Sequence, residues 1–282
     1  MNINQKQHST TPPKALFVGM CTKDILFYTD TLPMHNHKAK TADFATYIGG
    51  PAANAAITYA ALGGDATLAT CMGNSTESLA MKKELEGYGV KVLNYSDYNT
   101  APNISSIVVS SDGKRTVLSG QQKFQVNRDY DIGAYDFVLF DCNQQEISLD
   151  ILGKVGDKPV VLDAGSVKPN IEKFLGRADI VIASEDFKDE AGKDLFGMKC
   201  KAVHKAITRG ENAILYNGKE LPVNKVEAVD TLGAGDIFHG AFCYGYFEKE
   251  MSCEKALLFA AEVASESVKY RGPRAWMKQK EI

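Results

Sequence analysis

The chain has 282 residues, 44% of them hydrophobic and 24% charged, with a formal net charge of −3. This is the composition of an ordinary globular protein that can bury a sizeable core. The near-neutral balance leaves no basic footprint for nucleic acid and no polybasic patch for a membrane surface. Its six cysteines are scattered without C-x-x-C or zinc spacing and read as reduced, buried thiols of a cytoplasmic protein. No apolar run approaches the length of a membrane span.

Residues 1–14 are polar, lack the apolar centre of a signal peptide and are expected to form a disordered tail. Residues 15–282 contain no linker, repeat or low-complexity stretch and read as one domain. Residues 15–20 form a short apolar run, as expected of a strand buried on both faces. Asp24 follows it. Ligands of open α/β sheets gather beyond the carboxyl ends of strands, so Asp24 is a candidate ligand group, with a solvated loop carboxylate as the equal alternative. The His35-Asn36-His37 triplet has no carboxylate or cysteine partner and reads as solvated loop. Next comes Gly49-Gly50-Pro51-Ala52-Ala53-Asn54. Gly-Gly permits close backbone approach, Pro51 suits the first helical position, and alanines at helical spacing run on to Gly63-Gly64. Asn54 stands out among those alanines, as it would if its amide faced a ligand; a tolerated polar residue at a helix start is the plainer explanation. Neither G-x-G-x-x-G nor a Walker A loop occurs, which argues against a dinucleotide dehydrogenase.

The middle of the chain alternates strand-like and helix-like segments, with strands at 66–71 and 90–94 around a helix near 75–87. Two short alternating runs, 104–110 and 116–119, flank Ser111-Asp112-Gly113, a strong hairpin signal. Further buried strands at 136–140, 159–162 and 178–182, with helices between, argue for a parallel sheet covered on both faces. Asp141, Asn143 and Asp163 fall at or just past strand ends, placed either to line a cleft or to serve as turn residues. A strand-turn-strand at 206–217 and an amphipathic helix at 252–269 follow.

Between those last two lies Asp230-Thr231-Leu232-Gly233-Ala234-Gly235-Asp236-Ile237-Phe238-His239-Gly240-Ala241-Phe242, a glycine loop running into a small-residue helix. The glycines leave peptide N–H groups bare, and the following helix aims its unpaired N–H groups and positive dipole end at the same spot, which suits a phosphate or oxyanion. Asp236 puts a carboxylate beside that spot. It would repel a resting phosphate, so it needs a chemical reason, and accepting the proton of an attacking hydroxyl is one. The plainer explanation is that it caps the helix.

These two glycine stretches resemble the two signatures of the PfkB/ribokinase family of carbohydrate kinases, G-G-x-x-x-N-x-A at residues 49–56 and D-T-x-G-A-G-D at residues 230–236. The resemblance implies a three-layer α/β/α ribokinase-like sandwich with a mainly parallel central sheet and a small β-sheet lid, built from about 24–46 and 103–119. It implies ATP-dependent phosphorylation of a hydroxyl of a small sugar, with Asp236 as catalytic base and Gly233, Ala234 and Gly235 as the anion hole. ATP contacts would fall on Thr208, Gly210, Thr231, Gly233 and Gly235. Substrate contacts would fall on Asp24, Gly49, Gly50, Asn54, Lys38 and Asn143. Mg2+ would accompany ATP, a monovalent cation such as K+ is a further option in the family, and a homodimer through the lid is a family-based expectation.

The chain departs from the family at two places. Its usual N-x-x-E is replaced by Ser184-Glu185-Asp186-Phe187, which leaves Glu185 as the candidate metal ligand. His239 stands where ribokinases often carry Asn. The Ser184 variant resembles the ketohexokinase-like and sulfofructose-kinase-like branch, and the His239 variant resembles its sulfofructose-kinase side. On the expected lid, Lys38 and Arg115 are the residues placed to meet an anionic substituent, unless they are simply exposed charges. A neutral ketose or aldose is the first expectation for the substrate, an acidic sugar the second and a nucleoside the third. A catalytically silent sugar- or nucleotide-binding regulator would keep the same cleft, but the intact Asp236 and its glycines argue against it.

Overall fold

The structure is a computed structural model that describes residues 12–36, 38–96, 98–111, 115–127 and 129–278. Most of the expected tail, His37 and the Asp112-Gly113 turn lie outside these residues. Lys14 is already the first residue of strand β1 (Lys14–Val18), one position earlier than the apolar pattern indicates. Side chains of β1 alternate between two cores, Ala15 and Phe17 in one, Leu16 and Val18 in the other. A strand sandwiched in this way reads as a continuous apolar run because neither face meets water.

The chain then enters β2 (Thr22–Thr29) and β3 (Phe44–Gly49). β2 escapes sequence patterning because the residues it buries, Thr22, Asp24 and Leu26, are mostly polar. Asp24 is therefore a strand residue, not a loop carboxylate past β1. After α1 (Pro51–Ala61) come β4 (Asp65–Thr70), α2 (Thr76–Gly87), β5 (Lys91–Asn94), β6 (Asn103–Ser110) and β7 (Arg115–Gly120). The second half holds β8 (Phe137–Phe140), α3 (Gln145–Leu152), β9 (Val160–Ala164), α4 (Ile171–Leu175), β10 (Ile180–Ser184), β11 (His204–Arg209), β12 (Asn212–Tyr216) and β13 (Lys219–Leu221). It ends with α5 (Ala234–Cys243), a π-helical turn at Tyr244–Glu248 that prolongs it, and α6 (Cys253–Ser267).

Two sheets result. The larger has nine strands in the order β13-β12-β11-β10-β9-β8-β1-β4-β5, parallel from β5 to β11 and antiparallel at β12 and β13. Residues of α1, α5 and α6 pack on one face with Phe17, Tyr59 and Phe137, and residues of α3 and α4 pack on the other with Phe140 and Phe174. This is the expected three-layer α/β/α sandwich with a mainly parallel sheet. The smaller sheet runs β3-β2-β6-β7, its outer pairs antiparallel and its central β2–β6 pair parallel. Arg115, at the start of β7, donates from Nη1 to Thr231 Oγ1 at 3.0 Å, so the smaller sheet touches the loop before α5.

Helix ends are specified locally. Ser75 accepts the Ser78 N–H at the start of α2, and Ser252 accepts the Lys255 N–H at the start of α6. Phe187, in the last position of the altered N-x-x-E pattern, is fully buried just beyond β10. That position serves the core and not the solvent. Phe187→Ala should therefore lower the unfolding free energy by about 3–5 kcal/mol in urea titrations. A loss below about 1 kcal/mol would show that the ring is not part of the packed core.

Candidate active site

Gly233 precedes α5 with φ +74°, a left-handed conformation natural for glycine, and the helix opens with Ala234, Gly235 and Asp236. Asp236 does not cap the helix: its N-cap residue is Gly233, and no side chain bonds there. Instead its Oδ2 accepts a 2.6 Å hydrogen bond from Nδ2 of Asn54, on α1. The two glycine stretches, far apart in sequence, thus meet through their two distinctive polar side chains.

The Asn54 amide is itself held from behind. Its Oδ1 accepts from Nη2 of Arg274, which also donates to the Ile48 carbonyl at 2.8 Å. Arg274 is only 7% exposed and follows α6 in a Gly272-Pro273-Arg274 turn. Sequence reading does not reveal it, since a lone arginine near a chain end resembles any solvated charge. The loop is tied to the same turn through Asp230, whose carboxylate accepts from Leu232 N and Gly272 N.

Burial pushes the Asp236 carboxyl up to about 7, and the nearby Asp163 and Asp141 carboxylates add to the shift. The Asn54 bond and His239 oppose it. His239 lies on α5, its Nδ1 2.7 Å from the Gly235 carbonyl and its Nε2 3.2 Å from the Ile182 carbonyl. Asp163 Oδ1, at the end of β9, is 3.6 Å from Nε2. Burial lowers the imidazole's pKa and raises that of Asp163. A carboxylate and an imidazole therefore sit directly behind Asp236.

Across the cleft, Asp24 is 8% exposed, and its Oδ1 accepts from Thr22 Oγ1 at 2.7 Å. Burial raises its pKa, while hydroxyl donors from Thr22 and Ser105 pull the other way. A Cβ on Gly49 would fall 1.8 Å from Asp24 Oδ2, so only glycine lets this carboxylate stand against β3. Gly50 is the N-cap residue of α1, whose Ala52 N–H is satisfied by Asp141 Oδ2 at 3.1 Å. Asn143 donates its own N–H to Asp141 Oδ1 and lines a cavity of about 390 Å³ with Met20, Asn103, Gln122 and Lys123.

The remaining candidates stand at varied distances from this cluster. Thr208 is next to last in β11, beside Ser184, with its hydroxyl directed to the Ala183 carbonyl, and Gly210 makes the β11–β12 turn. Thr231 is exposed and receives Arg115. Lys38 is exposed between β2 and β3 and lines a separate cavity of about 650 Å³ with Tyr28, Asp43 and Arg271; Asp24, Asn54 and Asp236 are not among its walls. Glu185 is exposed, and among the described residues no group of three or more His, Cys, Asp or Glu could hold a metal ion. No described helix is long and apolar enough to cross a membrane.

Comparison with known proteins gives the family. Residues 13–280 match the model of the pfkB family carbohydrate kinases. The chain is 28% identical to ribokinase of Bacillus subtilis, over 89% of this chain and 91% of that one. It is 25% identical to deoxyribokinase of Salmonella typhi, over 86% and 90% of the two chains. In structure it resembles a putative ribokinase from Agrobacterium tumefaciens with a TM-score of 0.80 and 24% identity, covering 95% of this chain and 94% of the other. With its sandwich fold and its two glycine signatures joined through Asn54 and Asp236, the chain belongs to the PfkB family and is an ATP-dependent carbohydrate kinase.

Proposed function

We propose that the chain phosphorylates a hydroxyl of a small neutral sugar, with Asp236 as the general base. The observation that carries this reading is the Asn54–Asp236 bond. It holds a carboxylate with a raised pKa beside the Gly233-Ala234-Gly235 turn, where the Ala234 N–H turns back to the Thr231 carbonyl at 3.3 Å, with no helix-capping duty to explain it. The sugar would lie between Asp24, Gly49, Gly50, Asn54 and Asn143, and ATP would approach along Thr208, Gly210 and Thr231. The sugar oxygen bonds to the γ-phosphorus as the bond to the leaving ADP oxygen breaks, and the hydroxyl proton passes to Asp236. The transition state is loose and highly charged, so alignment and electrostatic support supply most of the rate.

The smaller sheet acts in this reading as a lid that excludes water, residues 15–282 as one kinase domain, and the exposed lid strands as the contact of a homodimer. Mg2+ would arrive with the phosphates of ATP and keep mostly phosphate and water ligands, with Glu185 as the candidate protein ligand, because the described residues hold no group of three or more His, Cys, Asp or Glu able to take a metal. Dependence on a monovalent cation such as K+ and a cytoplasmic location remain part of the proposal. The resemblance to ribokinase and deoxyribokinase supports a neutral pentose ahead of an acidic sugar or a nucleoside. Lys38 is less well placed for an anionic substituent than its position in sequence indicates, since its cavity is separate.

Four outcomes are expected. ADP release from Mg-ATP should be stimulated by neutral pentoses or ketoses in a panel that also holds acidic sugars and nucleosides; silence across the panel with ATP still bound would favour a non-catalytic regulator. Asp236→Asn should cut turnover by about 100- to 10,000-fold, and a mutant keeping most of its rate would sink the base assignment. The wild-type kcat/KM should climb as pH rises through about 7 and level off above, because the base works only when ionised. Stability carries the opposite sign. A carboxyl whose folded pKa exceeds its unfolded value loses stability as pH rises between the two, so Asp236→Asn should melt higher than wild type at pH 8.

A further inference from the structure

Arg274 has no part in the two family signatures, yet it is a deeply buried cation close to the base. Its guanidinium carries donors only, and it spends them on three oxygens: Pro273 O at 3.2 Å, Ile48 O at 2.8 Å and Asn54 Oδ1. Trp276, 2% exposed, pins the same turn by donating from Nε1 to Pro273 O at 3.1 Å. An asparagine amide has one acceptor end and one donor end, nearly equal in shape. With the acceptor end facing a guanidinium, the donor end must face Asp236. Turned over, the amide would set NH2 against guanidinium and oxygen against carboxylate, two repulsive contacts in a site with little water to relieve them.

We infer that Arg274 is a positioning residue for the catalytic base, fixing the polarity of the Asn54 amide so that Asp236 always meets a donor. This rests on the reading of Asp236 as the base. One oxygen of Asp236 is thereby occupied, and the other is left for the sugar hydroxyl. The same guanidinium grips the Ile48 carbonyl, at the end of β3 and next to Gly49, so it also ties the base to the strand that meets Asp24.

The test follows the ionisation of Asp236 in wild type, Arg274→Met, Asn54→Leu and the double mutant. Two readouts are taken: the pH dependence of kcat/KM with Mg-ATP and the sugar that the screen identifies, and the carbon NMR titration of the aspartate carboxyls, with Asp236→Asn to assign the signal. Other charges face the pair and stay constant through the series. Asp163 and Asp141 raise Asp236 and His239 lowers it, while Tyr88, Asp236 itself, Glu84 and Asp24 face Arg274. Loss of the donor from Asn54 should move the Asp236 midpoint up by about one pH unit in each single mutant, about tenfold in kcat/KM on the acid side. Acting through Asn54, Arg274 should add no further shift in the double mutant.

A merely structural arginine would instead lower the rate equally at every pH with the midpoint unmoved, and that result overturns the inference. Additive shifts overturn it as well, since Arg274 would then act by its charge alone. Should Arg274→Met not fold, Arg274→Leu, which also removes every donor from the Asn54 oxygen, is read in its place, and an unmoved midpoint there has the same meaning. The NMR titration does not require turnover. If no sugar is phosphorylated but the Asp236 midpoint moves non-additively, the kinase substrate has been misread and the positioning role stands.

Discussion

The carboxylate of Asp141 accepts N–H groups from Met20, Ala52 and Asn143, which belong to the exit of β1, the first turn of α1 and the loop after β8. It is 4% exposed, and burial raises its pKa against the pull of those three donors. Three segments that must converge for a cleft to exist are thus joined at one anion. The α1 N-terminus supplies part of the positive field that makes this tolerable. Without this junction, Asn54 would have no fixed place from which to meet Asp236, and the Gly49-Gly50 turn would not be pressed against Asp24.

Asp141 follows β8, Asp163 lies near the end of β9 and Asp236 in the first turn of α5; Asp141 raises the pKa of Asp163, and both raise that of Asp236. A fold selected for stability alone would not bury Asp141 and Asp163 where they raise the pKa of Asp236, beside a histidine held at lowered pKa. The arrangement makes sense as chemistry. A carboxylate poised near neutrality can take a proton and release it, whereas one with an ordinary pKa is a poor base. The amide of Asn54 restrains the upward shift enough for ionised Asp236 to persist at neutral pH.

Where chemistry depends on local backbone, sequence was sufficient to read it. Gly49, Gly50, Gly233 and Gly235 are informative because turns and bare amides require their neighbours in fixed order, and Asn54 and Asp236 are conspicuous among small residues. The parallel strands were legible as apolar runs. β2 was not, because it buries Thr22 and Asp24 where alternation calls for apolar side chains. Arg274 was not, because its role exists only when the end of the chain meets α1. Phe187 shows the reverse case: a position expected to concern metal and phosphate is absorbed by the core, a fact that burial reveals and spacing cannot.

The parallel pairing at the centre of the smaller sheet constrains the order of assembly. Thr22 pairs with Asn103 and Thr29 with Ser110, and all of β3, α1, β4, α2 and β5 lies between the two strands. Neighbouring antiparallel pairs, β2–β3 and β6–β7, can close early because their connections are short. Their union cannot, since it waits for β4 and β5 to dock beside β1 and bring the two hairpins together. Until then each hairpin carries an unpaired edge, so the interval before they join is when the nascent chain is most open to self-association. Pulse-labelled hydrogen exchange would register this as late protection of β2 and β6 amides relative to β1 and β4.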